Sequence, residues 1–190
     1  MLADMLNTVV WYVGVFFVFA LLLRFHFQWL RVPFVNQLGQ FILAMTSWAV
    51  MPTRRVIPPL FGLDLASLLC AWLLQAGVRA VNLVLSGRDL SSAPAIAAGI
   101  IFAQALFDLI QFSLEILIVV LILQVVISWV NPHSPIQPAL GAVTRPLLRP
   151  IRRVVPPIAN FDLSPAILIL VIILLFKPLN TLREMAAGLF

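Results

Sequence analysis

Charge is scarce in this chain. Charged residues make up 10% of its 190 positions against 63% hydrophobic ones, and the mean hydropathy is +1.10. Water-soluble domains run at roughly 45–50% apolar and about 25% charged. A chain of this length cannot bury so much apolar surface by itself, so lipid must cover much of it. Cysteine is nearly absent. The single Cys70 excludes a disulfide framework and any CxxC pair, and inside an apolar run it reads as a packing or membrane-facing residue. Catalytic constellations are missing as well: there is no Ser-His-Asp set, phosphate-cradling glycine loop, HExxH or Cys cluster. The expectation is therefore a non-enzymatic protein with no catalytic residues, cofactor or metal site; His26 has no His or Cys at a ligand spacing. The net charge of +5 and pI near 11.1 would suit nucleic acid, but the arginines sit beside apolar spans rather than on a polar domain, so no direct nucleic-acid contact is expected. Met1 to Thr8 carries Asp4 and no basic cluster, so the start does not read as a cleavable signal peptide.

What is present is a repeat. Thr46, Pro52, Arg54, Arg55, Val56, Pro58, Pro59, Asp64 and Leu65 recur as Thr144, Pro150, Arg152, Arg153, Val154, Pro156, Pro157, Asp162 and Leu163, each pair 98 positions apart. Nine identities among the 22 positions from Thr46 to Ser67, several of them Arg, Pro and Asp, exceed what a greasy composition supplies. The chain is a tandem repeat. Residues 1–86 form the first unit with an inner loop at 31–63, 87–93 an outer linker, and 94–190 the second unit with an inner loop at 131–161.

About 20 apolar residues cross a ~30 Å hydrocarbon core as a helix. Val9 to Leu30 is the first such span, and Trp11 and Tyr12 stand where interfacial aromatics are favoured. Arg24, Gln28 and Arg31 follow on one face of its last third. Arg24 either snorkels to the headgroups or makes an internal pair or ligand contact. Pro33 breaks the chain. From Gln37 the pattern becomes a short amphipathic helix, with Leu38, Phe41, Ile42, Met45, Trp48 and Ala49 on one arc. It either lies on the membrane surface or packs against the spans. Leu65 to Leu85 is the second span, with Gln75, Arg79, Asn82 and Ser86 along its outer half. Ala95 to Val130 would measure about 54 Å as one helix, longer than a single crossing needs. It divides into an outer surface or steeply tilted helix to about Phe107 and a third span from Asp108. Its polar stripe is Gln104, Asp108, Gln111 and Glu115. Arg79 is expected to meet Asp108 or Glu115 inside the bundle, the alternative being that both stripes face the headgroups. The fourth span starts at Leu163 and weakens at Lys177-Pro178. The fold class is thus all-α: four transmembrane helices in two parallel-oriented tandem repeats, each with a short amphipathic interfacial helix.

The repeated block supplies the candidate site. Pro58-Pro59 and Pro156-Pro157 cannot donate backbone hydrogen bonds and stiffen the chain into an extended elbow, expected from Pro52 to Leu63 in the first copy. Arg54, Arg55, Arg145, Arg149, Arg152 and Arg153 lie beside these elbows and suit bidentate phosphate contacts, making them candidates for anionic phospholipid or a partner. Asp64 and Asp162 stand at the starts of spans two and four and read as helix caps, with acid–base chemistry a poor second. Arginine collects after spans one and three, whereas Arg88 in the linker is offset by Asp89. Both arginine-rich loops are therefore expected in the cytoplasm and both termini in the periplasm.

The stretch TRPLLRPIRRVVPPIANFDLSP, Thr144 to Pro165, resembles the signature of the YggT family of integral membrane proteins. TSWAVMPTRRVIPPLFGLDLAS, Thr46 to Ser67, is similar to a degenerate second copy, and Asn131-Pro132 with Pro135 resembles the family's span-loop-elbow unit. The first unit departs from it, with Pro33 and Asn36 for the Asn-Pro pair and Ala66-Ser67 where the second has Ser164-Pro165, so the second unit is the better candidate site. The resemblance implies a bacterial inner-membrane protein without an established activity, linked to osmotic or envelope stress and ion uptake; chloroplast relatives are linked to cytochrome cofactor assembly or nucleoid organisation. Two functional classes stay open. One is a scaffold or assembly protein whose elbow arginines hold anionic lipid or a membrane-protein partner. The other is a channel or transporter, built as a homo-oligomer around the polar stripes of spans two and three.

Overall fold

The computed structural model of the chain describes residues 1–60, 62–87, 93–131, 133–155 and 162–188. Six helices and no strands occur among them: α1 (Leu2–Trp29), α2 (Gln37–Val56), α3 (Leu65–Leu85), α4 (Pro94–Val130), α5 (Gln137–Val154) and α6 (Ser164–Gly188). Each repeat is a long helix, a shorter amphipathic one and a second long one. Helices α1, α3, α4 and α6 are long and apolar enough to cross a membrane. Their outward faces present Phe16, Leu73, Val119 and Leu174. Such a continuous apolar surface is tolerated only where acyl chains replace water.

The ends follow from local chemistry. Helix α1 starts before the expected Val9, with Asp4 in its first turn, where the positive end of the helix favours an acid. At its other end the Val32 amide returns to the Phe27 carbonyl at 2.8 Å while Arg31 takes a left-handed φ of +54°. Glycine is the usual occupant of that position. Asn36 caps α2, its side chain accepting from the Gly39 amide at 2.7 Å. Past α3, Gly87 supplies the positive φ of +73° that the turn requires.

Helices α1 and α3 make the most extensive contact, antiparallel, with Gly14 against Val78 near one end and Arg24 against Asp64 near the other. A Cβ at Gly14 would lie 2.2 Å from Val78 Cγ2, so the missing side chain lets the backbones approach. Helix α4 packs on α6 in the same way in the second repeat. Phe19 stacks on Phe112 with ring centroids 5.0 Å apart, and further along Leu23 and Phe27 share an apolar crevice with Val120 and Leu123. Contacts that advance together along both chains mean that α1 and α4 point the same way. The two repeats are therefore parallel, and both elbows lie at one end of the molecule.

Two expected boundaries are corrected. The outer helix over 95–107 is not a separate element, because α4 runs unbroken for 37 residues, about 56 Å at the helical rise. Its stretch holds no proline after Pro94 and only one glycine, so nothing interrupts the ladder. The first elbow is shorter than Pro52 to Leu63: α2 passes through Pro52 and continues to Val56, so Arg54 and Arg55 are helical. Helix α5 likewise passes Pro146 and Pro150 to reach Arg152 and Arg153. A proline removes one amide but leaves the flanking bonds, here Ile57 N to Thr53 O at 2.9 Å and Val155 N to Ile151 O at 2.8 Å. Past Lys177-Pro178, where the fourth span was expected to weaken, α6 runs on to Gly188. The bend that remains is compact: Leu60 and Leu63 exchange backbone hydrogen bonds around Gly62, whose φ is +81°. The second elbow's Pro156-Pro157, the linker charges Arg88 and Asp89, and Pro132 lie outside the described residues.

The apolar arc of α2 divides in two. Its buried stripe is Gly39, Ile42, Thr46 and Val50, whereas Phe41 and Trp48 are exposed. This helix therefore packs on the spans by one edge and turns its aromatics outward by the other.

Candidate functional site

The shared spacing of the two motif copies places a threonine, an arginine and an aspartate from successive elements around each elbow. In the first copy Asp64 caps α3 by accepting from the Ser67 amide. It also receives Arg54 from α2, Nε at 3.2 Å and Nη2 at 2.6 Å, a two-pronged guanidinium–carboxylate pair. Arg24 arrives from α1, with Nε 3.6 Å from Asp64 and Nη1 donating to Thr46 Oγ1 at 2.9 Å and Ser47 Oγ at 3.2 Å. Gln28 Oε1 accepts from Arg54 at 2.7 Å. Arg24 is only 2% exposed and Asp64 0%. Arg24 thus makes an internal pair rather than snorkelling. Burial alone would raise the Asp64 carboxyl, but hydrogen bonds from Arg54 and Ser67 and the Arg54 charge outweigh it and hold the carboxyl below the ordinary range.

The second copy has the same plan with fewer members. Arg152 reaches Asp162, Nε at 2.9 Å and Nη2 at 2.7 Å, and Asp162 accepts from the Ser164 amide at 3.0 Å. Thr144 donates to Gln124 of α4. Burial again opposes, yet hydrogen bonds to Ser164 and Arg152 and the Arg152 charge leave the Asp162 carboxyl lowered. Its side chain is 29% exposed and that of Arg152 40%. Arg145, Arg149, Arg152 and Arg153, with Pro146, line an open cleft of about 730 Å³. In the first repeat Arg55 is exposed, but Arg54 is taken up by Asp64 and Gln28.

A separate cluster sits at the opposite end. Arg79 clasps Asp108 with both Nε and Nη2, the latter at 2.6 Å, and Gln75 donates to the same carboxylate at 2.6 Å. Arg183 of α6 adds a third contact, Nη2 to Asp108 Oδ1 at 3.2 Å, and its Nε donates to Gln104 at 2.6 Å. Glu115 is not Arg79's partner; it accepts from Gln111 one turn away at 2.9 Å. Arg183 was missed because the fourth span was expected to weaken at Lys177-Pro178, which left Arg183 in a short tail. The signal was the run Thr181 to Ala187, whose Leu, Arg, Glu, Met and Ala are strong helix formers. Gln124 was missed because the 98-residue step does not extend into the preceding helices. There Trp29 matches Trp129, a step of 100, and Arg24 matches Gln124.

These features define a polytopic α-helical membrane protein built from two like-oriented hairpins, each closed at one end by a buried or half-buried Arg–Asp elbow. The family model described as CCB3/YggT matches residues 3–86 and 103–182, one stretch in each repeat. The chain belongs to that family. It is 36% identical over 154 residues to the uncharacterized protein YggT of Escherichia coli strain K12, covering 80% of this chain and 77% of the other. It is 33% identical over 169 residues to the uncharacterized protein PA0392 of Pseudomonas aeruginosa PAO1, covering 84% and 82%. No solved structure matches.

Proposed function

We propose that this protein is a non-enzymatic inner-membrane scaffold or assembly protein that holds anionic phospholipid, or a partner, at cytoplasmic Arg-Pro elbows. The osmotic or envelope-stress setting implied by the family resemblance belongs to the same reading. One observation carries it: four arginines share a single cleft with no acid in its lining among the described residues, and only Arg152 of the four is paired there with a carboxylate, Asp162. Guanidinium groups match phosphate oxygens two at a time, and basic pockets at span ends are headgroup sites. The excess of arginine at the elbow end favours that end in the cytoplasm and both termini in the periplasm. The polar stripes of α3 and α4 favour scaffold over transport, because Gln75, Gln104 and Asp108 are buried and spent on one another's network: Asp108 accepts from Gln75, Arg79 and Arg183, and Gln104 accepts from Arg183.

The test uses purified protein in liposomes. Each arginine near an anionic surface contributes about 1 kcal/mol. Arg145→Gln, Arg149→Gln and Arg153→Gln together should therefore weaken retention of phosphatidylglycerol on the order of 100-fold. Unchanged retention would remove the lipid reading. Ion flux that disappears with Arg79→Ala would put the alternative, an oligomeric ion channel or transporter, in its place.

A further inference from the structure

The first repeat acts as an internal template for the second. In the first, the space between α1, α2 and the start of α3 is filled by a cation: Arg24 sits against Asp64, Thr46 and Ser47. Gln28 lies one turn further on and holds Arg54. In the second, stepping by 100 along α4, Gln124 replaces Arg24 and Ser128 replaces Gln28. Both substitutes are neutral and shorter. Gln124 still reaches the motif threonine, Thr144, but Ser128 turns its hydroxyl back to Val125 O at 2.7 Å. Asp162 keeps Arg152 and has no second cation among the described residues, and it is 29% exposed where Asp64 is 0%. The space left is a cleft of about 540 Å³ that includes Gln124, Ser128, Arg152 and Asp162. A second cleft, of about 410 Å³, shares Gln124, Ser128 and Arg152 with it and adds Arg145. Arg145 is the motif counterpart of Ser47, so the positive charge has moved from the buried floor to the rim. It has no carboxylate partner among the described residues.

We propose that this joined cleft binds the headgroup of a phospholipid carrying a primary amine. The ammonium takes the place of the missing guanidinium, against Asp162 and the amide oxygen of Gln124. The phosphodiester lies toward Arg145. A purely anionic headgroup leaves Asp162 with one cation instead of two, and a bare cation leaves Arg145 without a counter-charge. A phosphoethanolamine group satisfies both. This deepens the lipid reading, from which it takes Arg145 as a phosphate contact, and adds a cation subsite that the four-arginine cleft lacks.

The experiment is native mass spectrometry of the full chain released from mixed micelles, comparing phosphatidylethanolamine, its N-acetylated form and phosphatidylglycerol. The wild-type protein should retain the free-amine lipid at least about tenfold better than the N-acetylated one, the scale of one lost charge pair. Gln124→Arg, which restores the first repeat's plug, should abolish that preference while leaving phosphatidylglycerol bound. Ser128→Gln, a milder filling of the same cleft, should reduce it, and it serves if Gln124→Arg does not fold. Equal retention of the amine and N-acetyl lipids by the wild type overturns the cation subsite. So does a preference that survives either filled variant. Glycerophosphoethanolamine that displaces the lipid at equal concentration overturns the lipid assignment in favour of a soluble headgroup. Loss of phosphatidylglycerol alone strikes the four-arginine reading, not this one.

Discussion

Neutralising the two motif aspartates should have unequal effects. Asn caps a helix as well as Asp does, so Asp64→Asn and Asp162→Asn keep the capping acceptor while removing the charge and one acceptor oxygen. Asp64 is fully buried between Arg24 and Arg54, and Arg24 is itself 2% exposed. Removing one partner of a buried pair leaves an uncompensated charge and costs about 3–5 kcal/mol. The Arg152–Asp162 pair is 40% and 29% exposed, so solvent screens it and the expected cost falls to about 0–1 kcal/mol. The difference should exceed about 2 kcal/mol, more than tenfold in the folded population. Titration with SDS in mild micelles, followed by tryptophan fluorescence, measures both variants against the wild type. Adding Arg24→Gln to Asp64→Asn should recover part of the loss, since the stranded guanidinium is its source. If Asp162→Asn proved as damaging as Asp64→Asn, burial would not be what separates the two elbows.

Acid should act through the same groups. Both carboxyls are held below the ordinary aspartate value of ~3.9, so they bind fewer protons folded than unfolded. Their stabilisation is complete above that value and is lost as pH falls through the lowered folded one. A pH series of the SDS midpoint should therefore be flat near neutrality and fall below about pH 4, and the acid limb should shrink in Asp64→Asn. At the α1–α3 crossing, Gly14→Ala should cost about 1–3 kcal/mol by overpacking on Val78, and Val78→Ala should restore most of it in the double variant. A Val78→Ala that gave no rescue would place the close approach elsewhere. Arg31→Gly should stabilise by about 1 kcal/mol, because glycine adopts the left-handed turn after α1 without a Cβ penalty. Asp108→Asn should destabilise more than Arg79→Gln, since Arg183 still reaches the carboxylate when Arg79 is gone. Equal losses in the same titration would make the Arg183 contact energetically empty.

Spans were readable because lipid imposes a coarse rule: a helix satisfies its own backbone, and about 20 apolar residues reach across. That rule needs no partner information, so all four spans and their pairing into repeats emerge from letters alone. The polar stripe of Gln104, Asp108, Gln111 and Glu115 was also visible, as side chains four and three apart share a helical face. Which of them meets Arg79 was not visible, because that depends on how α3 crosses α4. Proline misled in one direction only. Pro52 read as the start of the elbow and Pro178 as a weak point of the fourth span, yet each sits inside a helix, as Pro146 and Pro150 do. The penalty of one missing hydrogen bond and a ring clash is about 3 kcal/mol, and packing on the spans overrides it.

Composition, the 98-residue motif step and the arginine bias by themselves determined a membrane-embedded, all-helical, duplicated chain with its cations gathered at the elbows, since those properties depend on transfer free energy and local chemistry. Only the tertiary structure decided how the two elbows differ. Whether a guanidinium from an earlier helix fills the space beside the motif aspartate is a matter of helix register, and register is set by side-chain packing between segments distant in sequence.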